Sequence, residues 1–242
     1  MDKEKGPIHK FLNTVAIIPA AGAGVRMSGH RAKQFLDIEG RPLLALTLEK
    51  FQACPSVDGI ILVVPSVDMD YCRKDIIDKY NLSKVKKIVA GGKRRQDSVR
   101  LGVEASGGDY ALVMIHDGVR PLISPALIER VVAASKKERA IITALPAKET
   151  IKEINKDGLV VQTYDRSQVW MVQTPQVFRY EDILMAHQRA VLEHWEEVTD
   201  DALLVEKMGI PVKIIEGSED NIKITTPHDL ELALFLFRKE KL

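Results

Sequence analysis

The chain has 242 residues, 45% of them hydrophobic, which can fill one large α/β core or two small ones. Lys and Arg number 35 against 34 Asp and Glu, so no overall field draws the protein to nucleic acid or an anionic membrane, and any cationic site has to be local. Two cysteines, Cys54 and Cys72, are too few for a disulfide framework and lack metal-ligand spacing, which leaves buried structural thiols.

Residues 1–13 read as polar and loose. They carry charges where a signal peptide needs an apolar core, and no run approaches the roughly 18 apolar residues of a membrane span, so a cytoplasmic location is expected. Residues 15–18 then form a short apolar run, a buried strand ended by Pro19, which cannot donate to a ladder. Ala20, Ala21, Gly22, Ala23 and Gly24 follow with nothing larger than a methyl group, so a ligand can come against the backbone and its N–H groups can point at phosphate oxygens. Arg26, Arg31 and Lys33 come next. Strand, small-residue loop and cations suit a nucleoside triphosphate, whose negative charges must be held and neutralised as they redistribute. Two other glycine motifs do not fit. The dinucleotide fingerprint lacks its third glycine, where Met27 stands, and no Gly-Lys-Ser/Thr of a P-loop follows this strand. For the glycines alone, a tight strand-to-helix turn with chance cations nearby is the commoner explanation.

Helical periodicity follows at residues 42–52, and an apolar strand at 60–64 ends at Pro65. A helix at 67–80, a strand at 85–89 and a helix at 96–105 continue the alternation, the last after the loop Gly91-Gly92-Lys93-Arg94-Arg95. That short basic run reads as a solvated loop or a phosphate neighbour rather than a nucleic-acid patch. The next strand, at 110–115, runs into His116-Asp117-Gly118-Val119-Arg120-Pro121, after which Ser124 caps a helix with Pro125 at its first position. A strand at 141–145 follows. The pattern breaks over 146–172, where residues 150–154 and 159–163 flank Asn155-Lys156-Asp157-Gly158, a turn suited to a projecting β-hairpin. Such an arm exposes strand edges and calls for a partner, here a second copy of the chain. Helices at 181–195 and 200–208, a strand at 212–215 and a last helix from Pro227, capped by Thr226, complete the chain. Strands alternating with helices predict an α/β fold with a mainly parallel sheet, helices on both faces, and ligands at the carboxyl ends of the strands. One domain, residues 1–242, with an arm at about 147–171, is the expected organisation.

Five stretches in register carry a family resemblance: Pro19-Ala20-Ala21-Gly22-x-Gly24-x-Arg26-Met27, Lys33-Gln34-Phe35, His116-Asp117-Gly118-Val119-Arg120-Pro121, Gln173-Thr174-Pro175-Gln176 and Asp220-Asn221-Ile222-Lys223. Their order and spacing, from about residue 14 to 238, resemble the 2-C-methyl-D-erythritol 4-phosphate cytidylyltransferases. The resemblance implies a Rossmann-like sheet, a homodimer joined through the β-arm, and synthesis of CDP-methylerythritol and pyrophosphate from CTP and 2-C-methyl-D-erythritol 4-phosphate with Mg²⁺, in the non-mevalonate route to isoprenoids.

It also implies residue roles that chemistry can check. Attack of a substrate phosphate on the α-phosphorus of CTP brings two anions together, so positive charge is needed and a protein nucleophile is not. By resemblance, Lys33 and Lys223 hold the pentacoordinate phosphorus, while Arg26 and the Ala20 to Gly24 backbone hold the β and γ phosphates. Asp117 meets Mg²⁺ or the ribose. Gly118, where the family more often has alanine, supplies a backbone contact. Gly91, Gly92 and Ser98 resemble the segment that reads cytosine. Arg120, Thr150, Arg166 and Thr174 match positions for the second substrate, with Thr150 and Arg166 serving the neighbouring subunit's site. Taken singly, Lys223 reads as a solvated charge and Asp117 as a turn former, and only the motif assigns them. His116 reads as structural, because the attacking phosphate is already ionised; His187, His194 and His228 lack metal spacing. The rivals are a ribitol-5-phosphate cytidylyltransferase, an NAD-dependent oxidoreductase, and a non-catalytic nucleotide-binding homologue.

Overall fold

A strand buried on both faces of a sheet must be apolar throughout, and β1 (Thr14–Pro19) has no solvent exposure from Thr14 to Ile18. The computed structural model describes residues 13–22, 32–196 and 198–239. After β1 come a small antiparallel pair, β2 (Asp37–Ile38) and β3 (Arg41–Pro42), then α1 (Leu43–Ala53) and β4 (Gly59–Val64). The predicted helix at 67–80 forms as a 3-10 turn (Ser66–Asp68), a short α2 (Met69–Tyr71) and a π-helix (Cys72–Asp78). The chain continues through β5 (Val85–Ala90), α3 (Arg95–Ser106), β6 (Leu112–Ile115), α4 (Pro125–Ala134) and β7 (Ala140–Pro146). The hairpin strands β8 (Lys152–Ile154) and β9 (Val160–Thr163) lead to β10 (Trp170–Arg179), α5 (Tyr180–Leu192), α6 (Asp201–Lys207), β11 (Val212–Glu216) and α7 (Pro227–Lys239).

Among the described residues, seven strands form one sheet in the order β11-β7-β10-β6-β1-β4-β5. β1 pairs in parallel with β4 and β6, β4 with β5, and β7 with β11; β10 lies antiparallel between β6 and β7. Sequence analysis assigns no strand to these residues, and Pro175 in the middle of β10 disfavours a place inside a sheet. The structure accommodates it at a break in register between Gln173 and Gln176, where the ladder to β7 lapses and a missing N–H removes no regular bond. The Thr174–Pro175 peptide is cis.

Alternation along β1 sorts the core. Ala16 and Ile18 pack with Leu44, Leu48 and Phe51 of α1 and Ile128 and Val131 of α4, while Val15 and Ile17 pack with Val99 and Val103 of α3 and Ile183 and Ala186 of α5. Each fully buried valine, leucine, isoleucine or phenylalanine among them contributes about 1.5–3 kcal/mol. A third cluster seats Ala233 and Phe237 of α7 on Ile38, Leu43 and Ile224. The expected caps form: the Ser124 hydroxyl accepts from the Leu127 N–H, and the Asp229 N–H donates to Thr226 Oγ1 while the Thr226 N–H donates back to the Asp229 carboxylate. Cys54 and Cys72 are buried and unbridged, and burial pushes both thiols up to about 12. No helix of the described residues is long and apolar enough to cross a membrane.

The hairpin stands clear of the sheet, and residues 152–168 are all exposed. Its turn closes through the Asn155 side chain, which accepts from the Asp157 and Leu159 N–H groups, and through Gly158 at φ +79°, a conformation that favours glycine. Ile154, Leu159, Val160 and Val161 each keep about 60% of their surface in solvent.

Candidate active site

The strand order puts β4 and β5 on one side of β1 and β6 on the other, so the chain reverses direction across the sheet between β1 and β6. Ligands of open α/β sheets bind at the carboxyl ends of strands flanking such a reversal. Here those ends carry Ala20 to Gly22 after β1 and His116 to Arg120 after β6, joined by Gly91 to Arg95 after β5. The three loops are locked together. The Ala20 N–H donates to the Val63 carbonyl, the Gly118 N–H to the Pro19 carbonyl, and the Gly91 N–H to the Val64 carbonyl. Gly91 is required by contact: a Cβ there would stand 2.2 Å from Ala21 Cβ and 2.9 Å from Ser98 Oγ. The Ser98 hydroxyl accepts from the Gly92 N–H and donates to the Arg94 carbonyl, folding the loop onto the start of α3. Its first observed task is therefore to shape the loop.

Asp117 lies at the centre, 6% exposed. Its Oδ1 accepts from Arg95 Nε at 3.2 Å, and its Oδ2 faces Lys223 Nζ at 3.0 Å and Arg120 Nε at 3.4 Å. Burial alone would push this carboxyl up, but Arg95, Lys223 and Arg120 outweigh it and hold the group well below the ordinary carboxylate range. Asp117 is oriented from behind by β10, where Thr174 Oγ1 accepts from its N–H and bonds His116 Nδ1. The other ring nitrogen, Nε2, lies 3.1 Å from the Arg120 carbonyl, and full burial lowers the imidazole to about 4. His116 is thus a neutral strut, as the sequence reading has it. Arg120 also donates to the Asn221 carbonyl at 2.7 Å, and Asn221 Nδ2 donates to the Thr174 carbonyl, which ties the loop bearing Lys223 to β10.

Two clefts open at this centre. The first is lined by Ala20, Ala21, Gly22, Lys33, Gly92 and Ser98; the second by Arg120, Thr174, Gln176, Thr199 and Asp200. Arg95, Asp117 and Lys223 line both. Lys33, in a 3-10 turn (Lys33–Phe35), has its ammonium pKa lowered by burial and by Lys223, an effect Asp117 and Asp229 partly offset. Such a site gathers positive charge along the seam between two anion-sized clefts, which is what transfer between two phosphates requires.

Of the sequence-predicted residues, Ala20, Ala21, Gly22, Lys33, Gly92, Ser98, Asp117, Arg120, Thr174 and Lys223 line these clefts, while Gly91 and Gly118 pack directly behind them. Ala23, Gly24 and Arg26 lie outside the described residues. Thr150 and Arg166 line neither cleft; they sit exposed at the base of the arm, where Arg166 Nη1 donates to the Lys148 carbonyl. Arg95, Asn221 and Gln34 are the notable additions. Arg95 was read only as part of a basic run, and the signal separating it from Lys93 and Arg94 is its position as the first residue of α3. Gln34 is 1% exposed, lines the first cleft and has an Nε2 with no hydrogen-bond partner among the described residues. Among the described residues, no group of three or more His, Cys, Asp or Glu could cage a metal.

A family model for 2-C-methyl-D-erythritol 4-phosphate cytidylyltransferase matches residues 14–239. The curated protein of that name from Syntrophus aciditrophicus is 46% identical over 227 residues, covering 94% of this chain and 97% of the relative. The one from Geobacter metallireducens is 44% identical, covering 94% and 98%. Among solved structures, 4-diphosphocytidyl-2C-methyl-D-erythritol synthase from Anaerococcus prevotii superposes with a TM-score of 0.83 at 34% identity, over 94% of this chain and 99% of that one. The 2-C-methyl-D-erythritol 4-phosphate cytidylyltransferase of Thermus thermophilus gives 0.76 at 33%, over 92% and 98%.

Proposed function

The chain belongs to the 2-C-methyl-D-erythritol 4-phosphate cytidylyltransferase family, and on that premise we propose that it transfers the cytidylyl group of CTP to 2-C-methyl-D-erythritol 4-phosphate. The observation that carries this reading is the sharing of Arg95, Asp117 and Lys223 between two clefts, with Lys33 on the wall of the first. CTP takes the first cleft, its phosphates against the Ala20 to Gly24 backbone and Arg26, and its base toward Gly91, Gly92 and Ser98. The acceptor takes the second, its phosphate near Arg120 and Thr174. An acceptor phosphate oxygen attacks the α-phosphorus, the bond to the bridging oxygen breaks, and pyrophosphate leaves. Lys33 and Lys223 meet the charge that builds on the phosphorus, and Gly118 supports Asp117 from the backbone. No side chain need take a proton from the nucleophile, in keeping with the neutral, fully hydrogen-bonded His116.

Asp117, the carboxylate that lines both clefts, would suit a Mg²⁺ held with nucleotide phosphates and water, which needs one or two carboxylates rather than a protein cage. When bound, that ion would neutralise phosphate charge beside Asp117. The protein works as a homodimer in which the exposed aliphatic residues of the arm are covered and Thr150 and Arg166 reach the partner's acceptor cleft. We assign it one domain with a dimerisation arm at about 147–171, acting in the cytoplasm, where free buried thiols such as Cys54 and Cys72 are usual. Pyrophosphate release from CTP and Mg²⁺, with 2-C-methyl-D-erythritol 4-phosphate or ribitol 5-phosphate supplied in turn, tests the reading. Release with the first alone is expected. Release with ribitol 5-phosphate alone would reassign the acceptor, and silence with both would reject catalysis.

A further inference from the structure

Arg95 is held at both ends. Its Nε donates to Asp117 Oδ1 at 3.2 Å, and its Nη1 donates to Asp201 Oδ2 at 2.7 Å. Asp201 is 1% exposed, opens α6, and lines neither cleft, so it stands outside both. Its Oδ1 lies 3.7 Å from Nε2 of His187, beyond hydrogen-bond length, and His187 is fully buried with neither ring nitrogen partnered among the described residues. Arg95 is therefore the cation to which this buried carboxylate is directly bonded. A buried charge is tolerated only when it is matched, and here the match is a guanidinium standing in the wall of both clefts.

The charge balance gives the pair a purpose. Arg95, Arg120 and Lys223 all converge on Asp117, and an arriving triphosphate, the stronger anion, competes with that carboxylate for them. Arg95 carries a rigid fork of donors that pairs bidentately with phosphate. Tied to Asp201 at one side, it cannot swing away from Asp117 without leaving that carboxylate buried and unpaired. We propose that Asp201 is a positioning residue for the transfer reaction: by anchoring Arg95 from outside the clefts it fixes Asp117, and with it Lys223, where the two clefts meet. The proposal rests on the cytidylyltransferase reading.

The test is the isosteric Asp201→Asn, which keeps shape and removes the anchoring charge. Equilibrium CTP binding counts intact sites, and turnover is then expressed per site. The variant is expected to bind one CTP per chain with affinity no weaker than wild type, since Arg95 is released toward phosphate, while kcat per site falls by about 10²-fold, the size of a roughly 1 Å misplacement. Asp201→Asn added to Arg95→Ala is expected to cost nothing beyond Arg95→Ala alone, because Asp201 acts through Arg95. Wild-type kcat per site, or losses that multiply in the double variant, would overturn the proposal. Should Asp201→Asn fail to fold, Arg95→Lys keeps the charge but cannot span both carboxylates; it should show the same split, and wild-type kcat in it would equally overturn the idea. Wild-type enzyme in the same assay separates the two claims: its silence sinks the function and this inference together, whereas an active wild type beside an unimpaired Asp201→Asn sinks this inference alone.

Discussion

At Asp117 a single carboxylate faces three cations, and the site's chemistry follows from that ratio. The excess positive charge is spare for phosphate, and Lys33, lowered by burial and by Lys223, is set close enough to share in it. Lys33→Ala is expected to lower kcat by about 10²-fold, as loss of one preorganised donor does; steady-state turnover near wild type would remove Lys33 from the mechanism. His116 gives the site a pH limit of its own. Its folded pKa, lowered to about 4, lies below the roughly 6.5 of an unfolded histidine, so the unfolded chain takes up a proton first and stability falls as pH drops from about 6.5 through about 4. Buried His187, also lowered, acts in the same direction. Thermal melts between pH 7.5 and 4.5 should show Tm falling with acid, and His116→Gln should flatten that slope; an unchanged slope would mean that His116 does not set it. These residues were legible in the sequence to different degrees. Lys33, Asp117 and Lys223 are ordinary surface types that only the motif series marks out. Asp201 carries no such mark, since neither its burial nor its pairing with a residue 106 positions earlier can be read from the chain.

At the scale of elements, periodicity recovers most of the α/β alternation because buried parallel strands are short apolar runs between amphipathic helices. It misses β10 for a physical reason. A strand with proline at its centre looks like a loop until a register break supplies the one place where the absent N–H does no harm. β10 is the strand that brings Thr174 behind Asp117 and Gln176 beside Asp200, where Gln176 Nε2 donates to the Asp200 carboxylate at 2.7 Å. The resemblance assigns Gly91 to reading cytosine, and the structure shows that its close neighbour is protein: Gly91 is pressed on Ala21 and Ser98. Gly91→Ala should push the β1 and β5 loops apart and raise the KM for CTP severalfold with little change in KM for the acceptor. Equal shifts in both would show that the loop does not serve the nucleotide side alone.

For the whole molecule, the proposed dimer, motivated by the exposed aliphatic arm and by the placement of Arg166 away from both clefts, would make catalysis a property of two chains. Arg166→Ala should raise the KM for the sugar phosphate far more than that for CTP. Lys33→Ala and Arg166→Ala, each nearly inactive at low acceptor concentration, should complement when unfolded and refolded together. If Arg166 serves the partner's site, a mixed dimer holds one intact site, so random assembly restores about a quarter of wild-type sites. Arg166 acting within its own chain would restore none. The position of β10 also bears on how the chain is made. Emerging from the ribosome, residues 14–115 can pair β1, β4, β5 and β6 at once, so the nucleotide half of the sheet is available early. β7 touches that half only through β10, so until residue 179 is translated β6 remains an open edge and β7 an orphan strand. The nascent chain thus spends some sixty residues of elongation with an apolar edge uncovered, and a ribosome stalled in that interval would display a sheet ready to pair with a stranger.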